Sequence, residues 1–343
     1  MQTKQNDISK IFILIASMLL SLYLLRYASD IIVPFLISLA IAIILSPLFS
    51  YLEKKHIPRV ISLISIIMLF SIPIVIVAGY VGNEAKEFAL NYHTIKAEFL
   101  NATNDMVDKL KGYGLVISKD KIDYIFQHNN MTNILKKLAT QANNQFSNMF
   151  FILLMVSFML MESEYFYQKL LKIEKENDID KDVVLEIIEK IKAYFALKVK
   201  TSMLTATLVF FVLWYYNIHY YALLALLAFF LNFIPVIGSI FAAVPAILLA
   251  FIQEGAITMF WVSFFYLLIN ISIGNILEPK IMGKGFGLSP LVILLGMNFW
   301  GWMFGPTGMI LSVPLTMITQ YIFGVYHQTK WISVLLSDYG AKK

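Results

Sequence analysis

The chain has 343 residues, of which 59% are hydrophobic and 14% are charged, and its formal net charge is +5. Soluble domains carry about 25% charged residues, so this composition excludes an ordinary soluble domain and indicates an integral membrane protein. There is no cysteine, which excludes disulfides, thiolate chemistry and cysteine metal sites. Basic residues in short loops orient membrane helices, so the positive charge implies no nucleic-acid partner.

The N-terminal part of the chain, residues 1–82, is predicted to contain three transmembrane helices. A helix rises about 1.5 Å per residue, so about 20 apolar residues cross the hydrocarbon core. The stretches of suitable length are Ile11–Tyr27, Ile31–Leu52 and Val60–Val81. No small-residue cleavage site follows the first stretch, so we interpret it as a retained helix and not as a signal peptide. A shorter apolar stretch, residues 146–161, is predicted to be the fourth transmembrane helix.

Two polar insertions interrupt the membrane pattern. Residues 83–145 are predicted to form an extracytoplasmic insertion of amphipathic helices, because apolar residues recur there at helical spacing. Residues 162–202 are predicted to hold a cytoplasmic amphipathic helix that lies along the membrane surface. Its apolar face consists of Val184, Ile187, Ile188, Ile191 and Phe195. Its lysines are expected to extend toward anionic lipid headgroups; they are Lys190, Lys192, Lys198 and Lys200.

The C-terminal membrane domain is assigned to residues 203–326, and residues 327–343 are assigned to a cytoplasmic tail. Its apolar stretches are Met203–Tyr216, Tyr220–Phe233, Ile240–Ile252, Ile257–Ile273, Leu291–Met303 and Gly308–Tyr326. If the spans alternate, the basic short loops all fall on one side, which places both termini in the cytoplasm. The predicted fold class is an all-α, polytopic membrane protein with about eight to ten transmembrane or re-entrant helices and small amphipathic insertions.

Two apolar segments, residues 232–251 and 298–317, are interrupted by Gly and Pro where a membrane helix would run unbroken. Backbone groups freed at membrane depth must be satisfied by protein or water, so paired breaks indicate a transport path. The candidate path residues at the first break are Asn232, Pro235, Gly238 and Ser239. The candidate hinges are Pro245, Gly283, Pro290, Gly305, Gly308 and Pro314. The predicted orientation makes the two segments inverted copies, as in many secondary transporters, although residues common in membranes would produce the same likeness.

Glu278 is the strongest candidate for a functional charge, because a charge in the bilayer is costly and is rarely retained without a role. Pro279 is expected to end the helix there, and Asn275 lies one turn behind Glu278. A carboxylate beside an amide at an unwound helix end can bind a cation or take up a proton. The alternative is a solvated Glu278 that pairs with Lys280 at the interface. Asn270 is a further candidate, either for the path or for helix packing.

Enzymatic motifs are absent from the chain, including the zinc-protease, nucleophile-elbow, P-loop and dinucleotide-binding patterns. We therefore predict that the protein is not an enzyme and needs no cofactor or metal. Without a nucleotide site of its own, transport would depend on a proton or sodium gradient or would be passive.

Four blocks of sequence, in order along nearly the whole chain, carry a family resemblance. They are Ile44-Leu-Ser-Pro-Leu-Phe49 with the basic turn that ends at Arg59, Leu231 to Ser239 with Val244-Pro-Ala246, Asn275 to Gly283 with Gly287 to Leu291, and Gly305 to Leu315. In these blocks the chain resembles the autoinducer-2 exporter, or AI-2E, family of bacterial and archaeal membrane proteins. It departs from that family at Ile273, where many relatives have an acidic residue, and at Ser289, where many have His.

The resemblance implies a secondary transporter in the bacterial or archaeal cell (inner) membrane that exports a small polar metabolite such as autoinducer 2. For some members it implies sodium-proton antiport, against which the scarcity of buried carboxylates argues here. It also implies a homo-oligomer, with a pentamer as one option. A third hypothesis, independent of the resemblance, is a non-transporting membrane scaffold that binds a protein partner through the external helices.

Overall fold

The computed structural model describes residues 2–111, 148–163, 165–166, 168–169, 181–282, 287–325 and 327–338. In these ranges every named element is a helix, and the single β-bridge joins Leu288 to Ser337. The prediction of an all-α membrane protein is confirmed.

The helices are numbered in chain order. They are α1 (Gln2–Tyr27), α2 (Ser29–Lys54), α3 (Arg59–Lys111), α4 (Asn148–Ser163), α5 (Lys181–Tyr215), α6 (Tyr221–Leu231), α7 (Gly238–Asn270), a π-helix (Ile271–Leu277), α8 (Glu278–Met282), α9 (Pro290–Ile310), α10 (Ser312–Val325) and α11 (Lys330–Leu336).

Three helical stretches in the described part of the chain are long and apolar enough to cross a membrane. They are Ser29–Lys54, Val184–Tyr215 and Gly238–Leu277. Helices α9 and α10, bent by 120° at the break between them, would together make a fourth. Shorter apolar helices cover Arg59–Ile72, Asn148–Ser163 and Tyr221–Leu231. The chain is therefore a multi-pass membrane protein, while the count of eight to ten spans and the cytoplasmic termini stay predictions.

Two domain boundaries expected from the sequence fall inside continuous helices. The boundary at residues 82 and 83 lies within α3, which runs for 53 residues, and the boundary at residues 202 and 203 lies within the 35-residue α5. A change from apolar to amphipathic composition alters the surroundings of a helix but does not end it, because Glu, Lys and Ala favour helix as strongly as Leu. The predicted span at 146–161 nearly coincides with α4. Residues 112–147 and 170–180 lie outside the described residues.

Helix α7 consists of two helical segments joined at a glycine. Gly255 has φ 84° and ψ −174°, a conformation outside the helical region that suits glycine. The break separates residues 238–254 from residues 256–270, in agreement with the two apolar stretches that the sequence predicts on either side of Gly255.

The chain forms two compact units. Unit 1 comprises Met1–Tyr51, Phe150–Lys192 and Phe286–Lys343, and unit 2 comprises Leu52–Met149 and Ala193–Gly285. In unit 1, the indole N–H of Trp300 on α9 donates a hydrogen bond of 3.0 Å to the Thr316 hydroxyl on α10.

The core of unit 2 lies between α5, α6 and α7. Its buried cluster includes Val209, Leu213, Leu224, Ala228 and Val262 from these helices. Ala242, Ala246 and Ala250 form a small-residue face on α7 and are at most 1% exposed. Such a face lets membrane helices approach closely, and here it positions the first broken segment against α5 and α6.

Candidate functional site

Helix α5 carries a buried polar stripe within an apolar membrane helix. The stripe consists of Lys198, Thr201, Ser202 and Thr205, which are 7%, 1%, 0% and 3% exposed. It follows the buried apolar residue Phe195 at the spacing of three or four residues that keeps side chains on one helix face. Buried polar groups are costly in an apolar surrounding unless they have partners, and the Thr205 hydroxyl has no hydrogen-bond partner in the described part of the chain.

Glu278 is the main partner of the polar stripe. The Lys198 ammonium lies 2.9 Å from Glu278 Oε1 and 3.0 Å from Oε2, and the Thr201 hydroxyl donates a further hydrogen bond of 2.9 Å to Oε1. The Lys198 and Glu278 side chains are 9% and 14% exposed. This is a buried ion pair whose carboxylate is held by three hydrogen bonds from one helix.

Asn232, the residue that follows α6, joins the same stripe in two ways. Its side-chain amide donates a hydrogen bond of 3.0 Å to the Ser202 hydroxyl, and its backbone carbonyl accepts one of 3.4 Å from the Lys198 ammonium. The carbonyls in the last turn of a helix lack intrahelical partners, so a lysine ammonium satisfies one of them here. The site therefore connects α5, the end of α6 and the start of α8.

The π-helix determines which residues face the site. The backbone N–H of Glu278 bonds to the carbonyl of Ile273, five residues earlier, in the wider turn of a π-helix. Asn275 is exposed as a result, whereas Glu278 is partly buried. The sequence prediction that Asn275 shares a face with Glu278 assumed α-helical spacing and is wrong. Pro279 does not end the helix either, since it lies inside the short helix α8, at whose start a proline is tolerated.

The turn between α6 and α7 is tight and strained. The N–H of Ile237 bonds to the carbonyl of Pro235 at 2.6 Å, and Val236 between them has φ 62°, a rare conformation for a β-branched residue. A Cβ on Gly238 would lie 1.8 Å from the carbonyl oxygen of Leu231, so only glycine fits where the chain turns back. Strain of this kind is found most often at functional sites.

The other candidate residues lie at different places along the chain. Pro235 is buried in the turn, Ser239 and the predicted hinge Pro245 are half-buried within α7, and Asn270 is half-buried at the far end of α7. Of the predicted path residues, the structure brings Asn232 and Glu278 together through Lys198.

The predicted hinges of the second segment lie in unit 1. Gly305 has φ 65° and ψ −150° and breaks α9, and a Cβ on Gly308 would lie 1.9 Å from the carbonyl oxygen of Trp300. Pro290 occupies the first turn of α9, and Pro314 is buried in α10. Gly283 lies outside the described residues.

Lys198, Thr201 and Ser202 were not expected at the site. The sequence prediction that Lys198 extends toward lipid headgroups is wrong, because it is buried and paired with Glu278. The alternative of a solvated Glu278 that pairs with Lys280 differs from the structure, in which Glu278 pairs with Lys198 and Lys280 is exposed. One signal could have identified Lys198: it lies seven residues after Ile191 and therefore continues the buried face of the helix.

The charges of Lys198 and Glu278 cancel, and the Thr205 hydroxyl is the one side-chain group of the stripe without a hydrogen-bond partner among the described residues. Desolvation makes a buried ion pair costly unless the geometry is good and further hydrogen bonds complete it, and Thr201 and Asn232 supply these. Tyr194, four residues before Lys198 on α5, is also buried. Any event that neutralises Glu278 would leave the Lys198 ammonium buried without its counterion, so the three segments are coupled through one charge.

Comparison with known proteins identifies the family. The family model described as AI-2E family transporter matches residues 11–328. The chain is 34% identical over 329 residues to the AI-2 transport protein TqsA of Escherichia coli strain K12, with 96% of each chain covered. It is 33% identical over 330 residues to a Haemophilus influenzae protein named "Putative transport protein", with 94% of this chain and 95% of the relative covered.

These matches extend over both units and include every block of sequence that suggested the resemblance. The chain belongs to the AI-2E family of transporters and is a multi-pass membrane transport protein.

Proposed function

We propose that the protein is a secondary transporter that exports a small polar metabolite of the autoinducer-2 type and that an ion gradient drives it. The name of its Escherichia coli relative, an AI-2 transport protein, supports the solute class. The buried charge at Glu278 supports coupling to an ion, because the chain contains no nucleotide-binding motif.

One observation carries the proposal: a buried ion pair between Lys198 and Glu278 lies beside a strained break in a membrane segment. Ionisable residues inside a membrane usually have a functional role, and broken helices at membrane depth usually line a solute or ion site. The ion pair and the break meet at Asn232. Its carbonyl accepts a hydrogen bond from Lys198, and the strained turn follows it in the chain.

The proposed cycle uses the pair as a movable link. When Glu278 is ionised, it holds α5 to the start of α8, and Lys198 also holds the end of α6. When Glu278 is neutralised by the coupling ion, the link weakens and the segment after Asn232 can move. The amide of Asn232 and the hydroxyl of Ser202 are then free to exchange their mutual hydrogen bond for bonds to a hydroxylated solute.

The test is gradient-driven accumulation of labelled autoinducer 2 by inverted membrane vesicles. We expect Glu278→Gln to reduce accumulation by about tenfold or more, because it removes the only carboxylate that the polar stripe binds in the described part of the chain. Glu254→Gln is the matched control, since Glu254 is exposed, and it should transport normally. Accumulation that needs no gradient and is unchanged in Glu278→Gln would contradict the proposal.

We also propose that the protein acts in the bacterial or archaeal cell (inner) membrane as a homo-oligomer, with the pentamer as the stoichiometry to test and both termini in the cytoplasm. The apolar side chains exposed along α1, α2 and α9 support contacts with lipid or with other copies. Native mass spectrometry of the purified protein measures the stoichiometry directly, and a monomer in every detergent tried would contradict this part of the proposal.

A further inference from the structure

The Lys198 ammonium occupies the position that a bound cation would take. Three oxygens surround its nitrogen: both carboxylate oxygens of Glu278, at 2.9 and 3.0 Å, and the carbonyl of Asn232, at 3.4 Å. Carboxylates and the carbonyls at helix ends are the ligands that membrane transporters use for sodium. The Lys198 ammonium therefore lies among oxygens that would also suit a sodium ion.

The ammonium uses all of its hydrogen-bonding capacity in this position. A lysine ammonium has three donors, and the three oxygens accept them. Thr201 donates to Glu278 Oε1, so this carboxylate oxygen accepts two hydrogen bonds. A sodium ion could bind Glu278 only after Lys198 had been displaced, and the displaced ammonium would then remain buried in an apolar surrounding.

A proton does not need the position that Lys198 occupies. It adds to the Glu278 carboxylate and leaves the ammonium in place beside the Asn232 carbonyl, at the cost of removing the ammonium's counterion. Lys198 on α5 forms the ion pair with Glu278, Tyr194 on α5 is buried, and Lys280 on α8 is exposed.

We infer that Lys198 is a specificity-determining residue: a built-in cation that keeps sodium away from Glu278 and leaves the proton as the coupling ion. Coupling to protons rests on the proposed transport function, whereas the exclusion of sodium rests on the geometry of the site alone.

The test measures the melting temperature of the purified full-length protein in sodium chloride and in choline chloride at equal ionic strength. Because a ligand that binds only the folded state stabilises it, a sodium site appears as a sodium-specific rise in melting temperature. We expect no difference between the two salts for the wild type. Lys198→Met keeps the apolar stem and vacates the cation position, so we expect sodium to raise its melting temperature by about 3 °C or more.

Two variants make the result specific. Lys200→Met removes an exposed lysine two residues away on the same helix and should behave like the wild type. Lys198→Met combined with Glu278→Gln should lose the sodium effect, because the carboxylate is gone. Sodium stabilisation of the wild type, or a folded Lys198→Met variant that does not respond to sodium, would overturn the inference.

A second measurement covers the case in which Lys198→Met does not fold. Wild-type proteoliposomes loaded with labelled autoinducer 2 should release it under a pH gradient equally well with sodium and with choline outside. Release that requires sodium would overturn the inference. If no autoinducer 2 moves under any condition but the sodium response of Lys198→Met is observed, the proposed function fails and the exclusion of sodium stands.

Discussion

At the scale of single residues, the site depends on side chains that bind charge in an apolar surrounding. Lys198 and Glu278 neutralise each other, and Thr201 completes the carboxylate's hydrogen bonding. Removing either ion of such a pair costs more than the pair contributes, because the remaining charge stays buried without its counterion. The hydroxyl of Thr201 can be removed without this penalty, which makes it the cleaner probe of the site.

Thr201→Val is expected to weaken the site without disrupting the fold. Valine has nearly the same shape as threonine but cannot donate to Glu278, so the loss should be about 1–3 kcal/mol, as for a hydrogen bond to a charged group. The measurements are the melting temperature of the purified variant and its rate of autoinducer 2 transport, and both should fall because the carboxylate loses a donor. Thr207→Val is the control, since the exposed Thr207 hydroxyl bonds to the carbonyl of Met203 in its own helix. An unchanged melting temperature and transport rate in Thr201→Val would argue against this role.

At the scale of elements, the two broken segments share one constraint. A Cβ on Gly238 would meet the carbonyl of Leu231 at 1.8 Å, and a Cβ on Gly308 would meet the carbonyl of Trp300 at 1.9 Å. Each glycine lies three residues after the residue that begins the break, Pro235 in one segment and Gly305 in the other. The backbone itself thus packs against backbone at both turns, and no side chain is tolerated there.

Gly238→Ala and Gly308→Ala are each expected to destabilise the protein by about 3 kcal/mol or more, because backbone atoms cannot move aside as a flexible side chain can. Gly274→Ala is the matched control: it lies in the π-helix and its Cβ would have nothing within 4 Å. The measurement is the melting temperature in detergent together with the yield of monodisperse protein. Wild-type stability of both alanine variants would contradict close packing of backbone against backbone at the two turns.

The elements also show what a sequence can and cannot predict. The apolar stretches on either side of Gly255 and the apolar stretch at 146–161 could be read from the sequence, because glycine and hydrophobic length are local signals. The continuity of α3 and α5 was missed because a helix keeps its hydrogen bonds when its surroundings change. The π-helix was missed because no residue type in Ile271–Leu277 indicates its wider turn. Asn275 was therefore wrongly predicted to share a face with Glu278.

At the scale of the whole molecule, composition was sufficient to predict an all-α membrane protein, since so many apolar residues cannot be buried in a soluble core of this size. The candidate site was predicted in part: Asn232 and Glu278 were identified from the cost of polar groups in the bilayer. Their common partner, Lys198, could not be paired with them from sequence, because it lies 80 residues from Glu278 and 34 from Asn232. Only tertiary packing brings these three residues together.

The central claim is that the break after Asn232 opens to water as part of a transport route. The absence of native cysteine allows a direct measurement, in which Ser239→Cys and Val236→Cys are labelled with a membrane-impermeant maleimide from each side of the membrane. We expect both cysteines to react, and we expect excess autoinducer 2 and a change in the pH gradient to alter the rate at Ser239→Cys. Cysteines that react from neither side in any condition would contradict the account.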